Sequence, residues 1–152
     1  MQEALAEFRR YYQTHCKDAT KPYAGIIELL LRLKELGIKT AVLSNKPDSA
    51  VKLLAKEYFD GLFAVAVGEN EAAGIRKKPA PDALFSVLDS LGVGKESAVY
   101  VGDSEVDIQT AVNAGVDCIS VTWGFKDREF LTANGGRILI DEPAQLMEFC
   151  KR

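Results

Sequence analysis

The chain has 152 residues, 47% hydrophobic and 27% charged, with a formal net charge of −3. That length makes one domain with a real core, and the acidic balance excludes the basic stripe that nucleic-acid binding needs. No apolar run approaches the roughly 20 residues that span a bilayer.

In chain order, Leu5, Phe8, Tyr12 and Cys16 recur at spacings of three and four with charges between them. This predicts an amphipathic helix over residues 3–16. The stretch KDATKPYAG breaks it and reads as a linker, which divides the chain into residues 1–20 and 21–152. A helix is expected over 26–36, with Pro22 before it and Gly37 at its end. A strand over 38–43 follows, then a helix from Pro47 to about residue 58, a strand over 62–67, and a helix from Pro81 to Gly92. The remaining expectations are a strand at 97–101, a helix at 106–114 closed by Gly115, a strand at 118–121, a short helix at 127–133, a strand at 138–140 and a last helix from Pro143. Short apolar strands alternating with helices predict an α/β fold, a mostly parallel sheet flanked by helices. Such sheets bind ligands beyond the C-terminal ends of their strands.

Three strand ends carry polar signals. In AVLSNKP, Ser44 follows an apolar run, and a hydroxyl there can donate to a phosphate oxygen, helped by backbone amides of the following turn. Taken alone, a Ser or Asn before Pro47 reads first as a cap of the helix that follows. In IRKKPAPDALF, Lys78 precedes a Pro-x-Pro turn and a helix. A lysine is a point charge suited to a phosphoryl group, although Arg76-Lys77-Lys78 taken by itself reads first as a solvated basic run. In SAVYVGDSEVDIQTAVNAG, Asp103 ends a strand and Asp107 lies four residues on, about one helical turn away. Two hard carboxylates so placed suit magnesium, which takes one or two carboxylates, a substrate phosphate and several waters. Helix capping accounts for one of them more easily than for both. Gly102 points to close backbone approach at this turn.

Ser44, Lys78-Pro79-Ala80-Pro81 and Gly102-Asp103-x-x-x-Asp107 resemble, in order and spacing, the second, third and fourth motifs of the haloacid dehalogenase-like superfamily of phosphohydrolases. Residues 11–25 and VTWGFKD, residues 121–127, look like segments of phosphoglycolate phosphatases within it. The resemblance implies a Rossmann-like core with the remnant of a helical cap at residues 1–20. It implies that Ser44, Asn45 and Lys78 bind phosphate, with Ser44 and Lys78 catalytic, and that Asp103 and Asp107 hold magnesium. The substrate would be a small phosphorylated metabolite such as 2-phosphoglycolate.

The family's first motif, D-x-D at the end of the central strand, supplies the nucleophile that becomes an aspartyl phosphate. No two aspartates of this chain are separated by one residue. The resemblance therefore implies a core without its nucleophile strand, which would lie between the strands at 38–43 and 97–101. The chain alone is then expected to be inactive, with the slot closed up or filled by self-association or by an N-terminal fragment. A non-catalytic module that keeps a phosphate and magnesium pocket is the second reading. A receiver domain is disfavoured because the first core strand ends in Ser44 rather than an acidic pair. A dinucleotide-binding domain lacks its G-x-G-x-x-G. Cys16, Cys118 and Cys150 have no C-x-x-C spacing, which points to idle thiols in a reducing cytoplasm. MQEALAEFRRYY reads as too charged for a signal peptide. His15 is expected to pack at a helix end, and Trp123 to lie over the core.

Overall fold

The computed structural model describes residues 20–150. The helix expected over 3–16, with His15 and Cys16, lies outside them, as does nearly all of the expected cap remnant at residues 1–20. The described chain alternates α1 (Ile26–Glu35), β1 (Ala41–Pro47), α2 (Asp48–Phe59), β2 (Val65–Glu69), α3 (Asp82–Leu91), β3 (Val99–Gly102), α4 (Glu105–Ala114), β4 (Asp117–Val121), α5 (Arg128–Ala133) and β5 (Ile138–Ile140). Short 3₁₀ turns stand at Glu71–Ala73 and Lys95–Ser97.

Each main helix buries one apolar stripe. In α1 it is Leu29, Leu30 and Leu33; in α3 it is Ala83, Leu84, Val87 and Leu88. A fully buried leucine is worth about 1.5–3 kcal/mol. Three of the helices, α1, α3 and α4, stop by one device. Gly37 takes φ +71, its N–H bonds Lys34 O at 3.0 Å, and the Ile38 N–H bonds Leu33 O at 2.9 Å. This closes the last turn as a Schellman motif. Gly92 and Gly115 repeat it, with Val93 bonded to Leu88 and Val116 to Ala111.

That device explains the first difference from expectation. Ile38, read as the start of a strand, is spent on closing α1, so β1 begins at Ala41. It also runs on through Ser44 to Pro47. The register Ala41↔Val65, Val42↔Ala66, Leu43↔Val67 breaks after Leu43 and resumes at Pro47↔Glu69. An irregularity of this kind bends a strand and re-aims its side chains. The last segment differs too: Pro143–Cys150 is 3₁₀ rather than α-helical and buries no residue.

All strand pairs are parallel, but the expected single sheet is divided. β1 pairs with β2, and β3-β4-β5 form a separate sheet. α3 packs against β1, β2 and α4, and so joins the two pieces. Leu43 of β1 also packs on the cluster Leu84, Leu88, Tyr100, Ala111, Ala114 and Val116 around β3. Parallel strands are ordinarily covered on both faces, yet Val99 and Val101 of β3 are 47% and 41% exposed. A second cluster, Ile119, Val121 and Ile140, carries Trp123 and Leu146, so Trp123 lies over the core as expected.

Asp48 ties α2 to β2: its carboxylate accepts the Gly68 N–H at 3.0 Å and pairs with Lys52 at 2.7 Å. Burial pushes its pKa up, but these two partners prevail and hold it below the ordinary value. A carboxylate depressed in the folded state stabilises above its unfolded pKa, near 3.9, and that stability is lost as pH falls through the folded value. Acid titrations of unfolding free energy should therefore show Asp48→Asn less stable than wild type at pH 7, with the gap closing below about pH 4. A gap constant from pH 7 to pH 2 would count against this.

Candidate phosphate and metal site

Polar residues from the end of β1 and from the turn and helix that follow β3 meet at Lys78. Asn45, near the end of β1, grips the lysine's backbone from both sides. Its Oδ1 accepts the Lys78 N–H at 2.9 Å, and its Nδ2 donates to Lys78 O at 3.2 Å. Asn113 of α4 donates to Pro79 O at 2.8 Å, so the Pro-x-Pro turn is fastened to both halves of the fold. The Lys78 side chain then reaches the first turn of α4, where Nζ donates to Asp107 Oδ1 at 2.6 Å. Both side chains are well buried, 12% and 7% exposed.

Asp107 is saturated. Oδ1 also accepts from the Tyr100 hydroxyl at 3.2 Å, while Oδ2 accepts from the Ser104 hydroxyl at 2.7 Å and from the Asp103 N–H at 3.2 Å. Burial alone would raise its pKa; the Lys78 charge and these hydrogen bonds outweigh it and keep Asp107 below the usual carboxylate range. The same burial, with Asp107 alongside, pushes the Tyr100 phenol far up, so it stays a neutral donor. Gly102 is required here, because a Cβ on it would stand 2.6 Å from Asp107 Cγ and nearer still to its Cβ.

Asp103 is placed differently. It is half-buried, and its Oδ2 accepts the Phe125 N–H at 3.1 Å. Burial and the neighbouring Asp107 raise its pKa, against the Phe125 amide and the more distant Lys78. An anion held uphill in this way favours a cation beside it, and a hard carboxylate suits magnesium. Among the described residues no three His, Cys, Asp or Glu side chains come together as a ready-made ligand set. Asp103 thus fits as one direct ligand, and Asp107, with both oxygens engaged, fits only through water.

Ser44 is the expected site residue least tied to this network. Its hydroxyl accepts the Lys46 N–H at 3.2 Å. With Val42 and Lys46 it lines a largely apolar groove of about 230 Å³ against Val51, Leu54 and Tyr58 of α2. It adjoins Asn45, and so stands one residue from the grip on Lys78. Sequence reasoning missed Tyr100, Ser104 and the Phe125 amide. Only Ser104, three residues before Asp107, had a readable signal.

A parallel α/β fold with a lysine and two carboxylates gathered at one edge defines the class of protein: an α/β fold of the kind whose ligands ordinarily bind beyond the strand ends. The chain belongs to the haloacid dehalogenase-like hydrolase family, whose family model matches residues 1–121. It is 34% identical over 143 residues to a phosphoglycolate phosphatase of Pseudomonas savastanoi pv. phaseolicola, covering 93% of this chain and 51% of that protein. It is also 34% identical over 148 residues to a protein of Caldanaerobacter subterraneus subsp. tengcongensis named by inference as the pyrophosphatase PpaX, covering 97% of this chain and 66% of that one. A crystal structure from Lactobacillus delbrueckii subsp. bulgaricus, named by inference as a phosphoglycolate phosphatase, superposes with a TM-score of 0.89 at 45% identity, over 93% of this chain and 59% of that one. The chain thus spans about half the length of the phosphoglycolate phosphatase it matches. Among the described residues no helix is long and apolar enough to cross a membrane.

Proposed function

We propose that this chain supplies the phosphate- and magnesium-binding part of a cytoplasmic phosphomonoester hydrolase acting on 2-phosphoglycolate. The observation that carries this reading is Lys78, held by Asn45 near the end of β1 and by Asp107 in the first turn of α4, beside Asp103. A lysine ammonium has three protons. One is engaged by Asp107, which leaves two for phosphoryl oxygens. Because Asp107 stays ionised, it fixes the ammonium in place instead of moving a proton. The Ser44 hydroxyl adds a donor from the β1 side. Magnesium, held by Asp103 and through water by Asp107, would supply charge neutralisation at the phosphoryl group. The relatives' names favour 2-phosphoglycolate over pyrophosphate as the substrate. The attacking carboxylate is to come from a further β-strand seated between β1 and β3. The divided sheet, the exposed Val99 and Val101 and the apolar groove beside β1 support that slot.

Calorimetric titration tests the site. Asp103→Asn should weaken magnesium binding about tenfold or more. Lys78→Ala should remove binding of 2-phosphoglycolate in the presence of magnesium. Equal magnesium affinity in wild type and Asp103→Asn would refute the metal assignment, and unchanged 2-phosphoglycolate binding by Lys78→Ala would refute the phosphate assignment.

A further inference from the structure

Asp103 lies against the loop that follows β4, and this loop is anchored at both ends. At its start the Thr122 N–H bonds Ile140 O at 3.1 Å and the Thr122 hydroxyl donates to Asp141 Oδ1 at 2.7 Å. Trp123 packs on Ile119, Val121 and Ile140. At its end Asp127 caps α5 by accepting the Phe130 N–H at 2.8 Å. The Asp141 carboxylate that holds Thr122 also pairs with Arg128 at 2.6 Å.

Between these anchors, Gly124 and the Phe125 amide press on Asp103. A Cβ on Gly124 would stand 2.7 Å from Asp103 Cγ, and nearer still to its Cβ and Oδ2. There is thus no room for any other residue at 124 while Asp103 keeps its position. The Phe125 ring is 86% exposed, so packing of the ring does not account for the loop's path. The Phe125 main-chain N–H meets Oδ2 at 3.1 Å. One carboxylate oxygen is therefore tethered by a backbone donor, and the missing side chain of Gly124 leaves the space that the carboxylate occupies.

We infer that Gly124 and the Phe125 amide are positioning residues that hold the Asp103 carboxylate in its metal-binding orientation. The inference rests on the magnesium reading above. Groups of this kind, outside the ligand set itself, change metal affinity by about 10–100-fold.

The test is a manganese titration of the 152-residue chain followed by electron paramagnetic resonance. Gly124→Ala and Phe125→Pro are compared with wild type, with Asp103→Asn and with Lys126→Ala from the same loop. Phe125→Pro removes the N–H, and Gly124→Ala fills the space. Both should bind manganese about tenfold more weakly or worse, whereas Lys126→Ala should match wild type. The Phe125 amide proton should resonate downfield in wild type and move upfield in Asp103→Asn with no metal present, which checks the hydrogen bond even if Gly124→Ala fails to fold. Wild-type affinity in both loop variants, with binding lost in Asp103→Asn, would overturn the positioning role and leave the metal reading standing. Equal affinity in wild type and Asp103→Asn would overturn both. An amide proton unmoved by Asp103→Asn would overturn the tether itself.

Discussion

Replacing Asp107 with alanine is expected to lower the unfolding free energy by about 3–5 kcal/mol, the loss seen when one partner of a buried ion pair is removed. The change strands several groups at once. Lys78 Nζ, on a side chain only 12% exposed, loses its 2.6 Å partner. The hydroxyls of Tyr100 and Ser104 lose their acceptor, as does the Asp103 N–H. A domain of this size is stabilised by roughly 5–15 kcal/mol, so the variant should stand near its unfolding midpoint in mild denaturant. Lys78→Met should cost less, because Asp107 keeps three other donors. The double variant Lys78→Met with Asp107→Ala should recover part of the loss, since it removes the stranded ammonium. A double-mutant cycle by urea denaturation measures the coupling. Strict additivity would mean that the two residues do not act as a pair, and the account of the site would fail with it.

The sequence revealed the site's ingredients better than their wiring. Ser44, Lys78 and Asp103 could be placed at turns because an apolar run stops just before each turn or a proline follows it. In the sequence, the four-residue distance to Asp103 makes Asp107 a candidate ligand. Its actual partner, Lys78, is 29 residues away, and no local pattern reports a contact made by tertiary packing. Tyr100 looked like one more apolar residue of a buried strand, because only the fold decides which hydroxyl finds a carboxylate. The Phe125 donor is a main-chain N–H, which every residue but proline carries, so the side chain gives no sign of it. Gly102 was legible because a glycine before a strand-end aspartate has few other uses, and the close approach of Asp107 bears that out. The path of β1 differs from expectation at both ends for local reasons. Ile38 belongs to the stop of α1, and Pro47 argues against a strand yet pairs with Glu69 beyond the irregularity.

The 152-residue chain alone is expected to release no phosphate from 2-phosphoglycolate above background. Lys78, Ser44 and a bound magnesium ion can position and neutralise a phosphoryl group, but the covalent route requires an attacking carboxylate. Asp107 is spent on Lys78, and Asp103 is the proposed metal ligand. Asp48 is held by Gly68 and Lys52 at the start of α2. An added segment with two aspartates separated by one residue at the end of an apolar strand should seat between β1 and β3. It would cover Val99 and Val101 and satisfy backbone groups on both open edges. Each apolar side chain it buries is worth about 1.5–3 kcal/mol, so melting temperature and turnover should rise together, because one strand carries both the packing and the nucleophile. Turnover should increase at least about a thousandfold, a small part of the range that enzymes reach, and Asp103→Asn should abolish the gain. The measurement is phosphate release with magnesium, for the chain alone, with the segment added in trans, and with the segment fused. A dimer that buries the open edges, detected by analytical ultracentrifugation, would make a second copy the occupant of the slot instead. Robust turnover by the chain alone, lost in Asp103→Asn, would place the nucleophile within these 152 residues and overturn the strand-slot account.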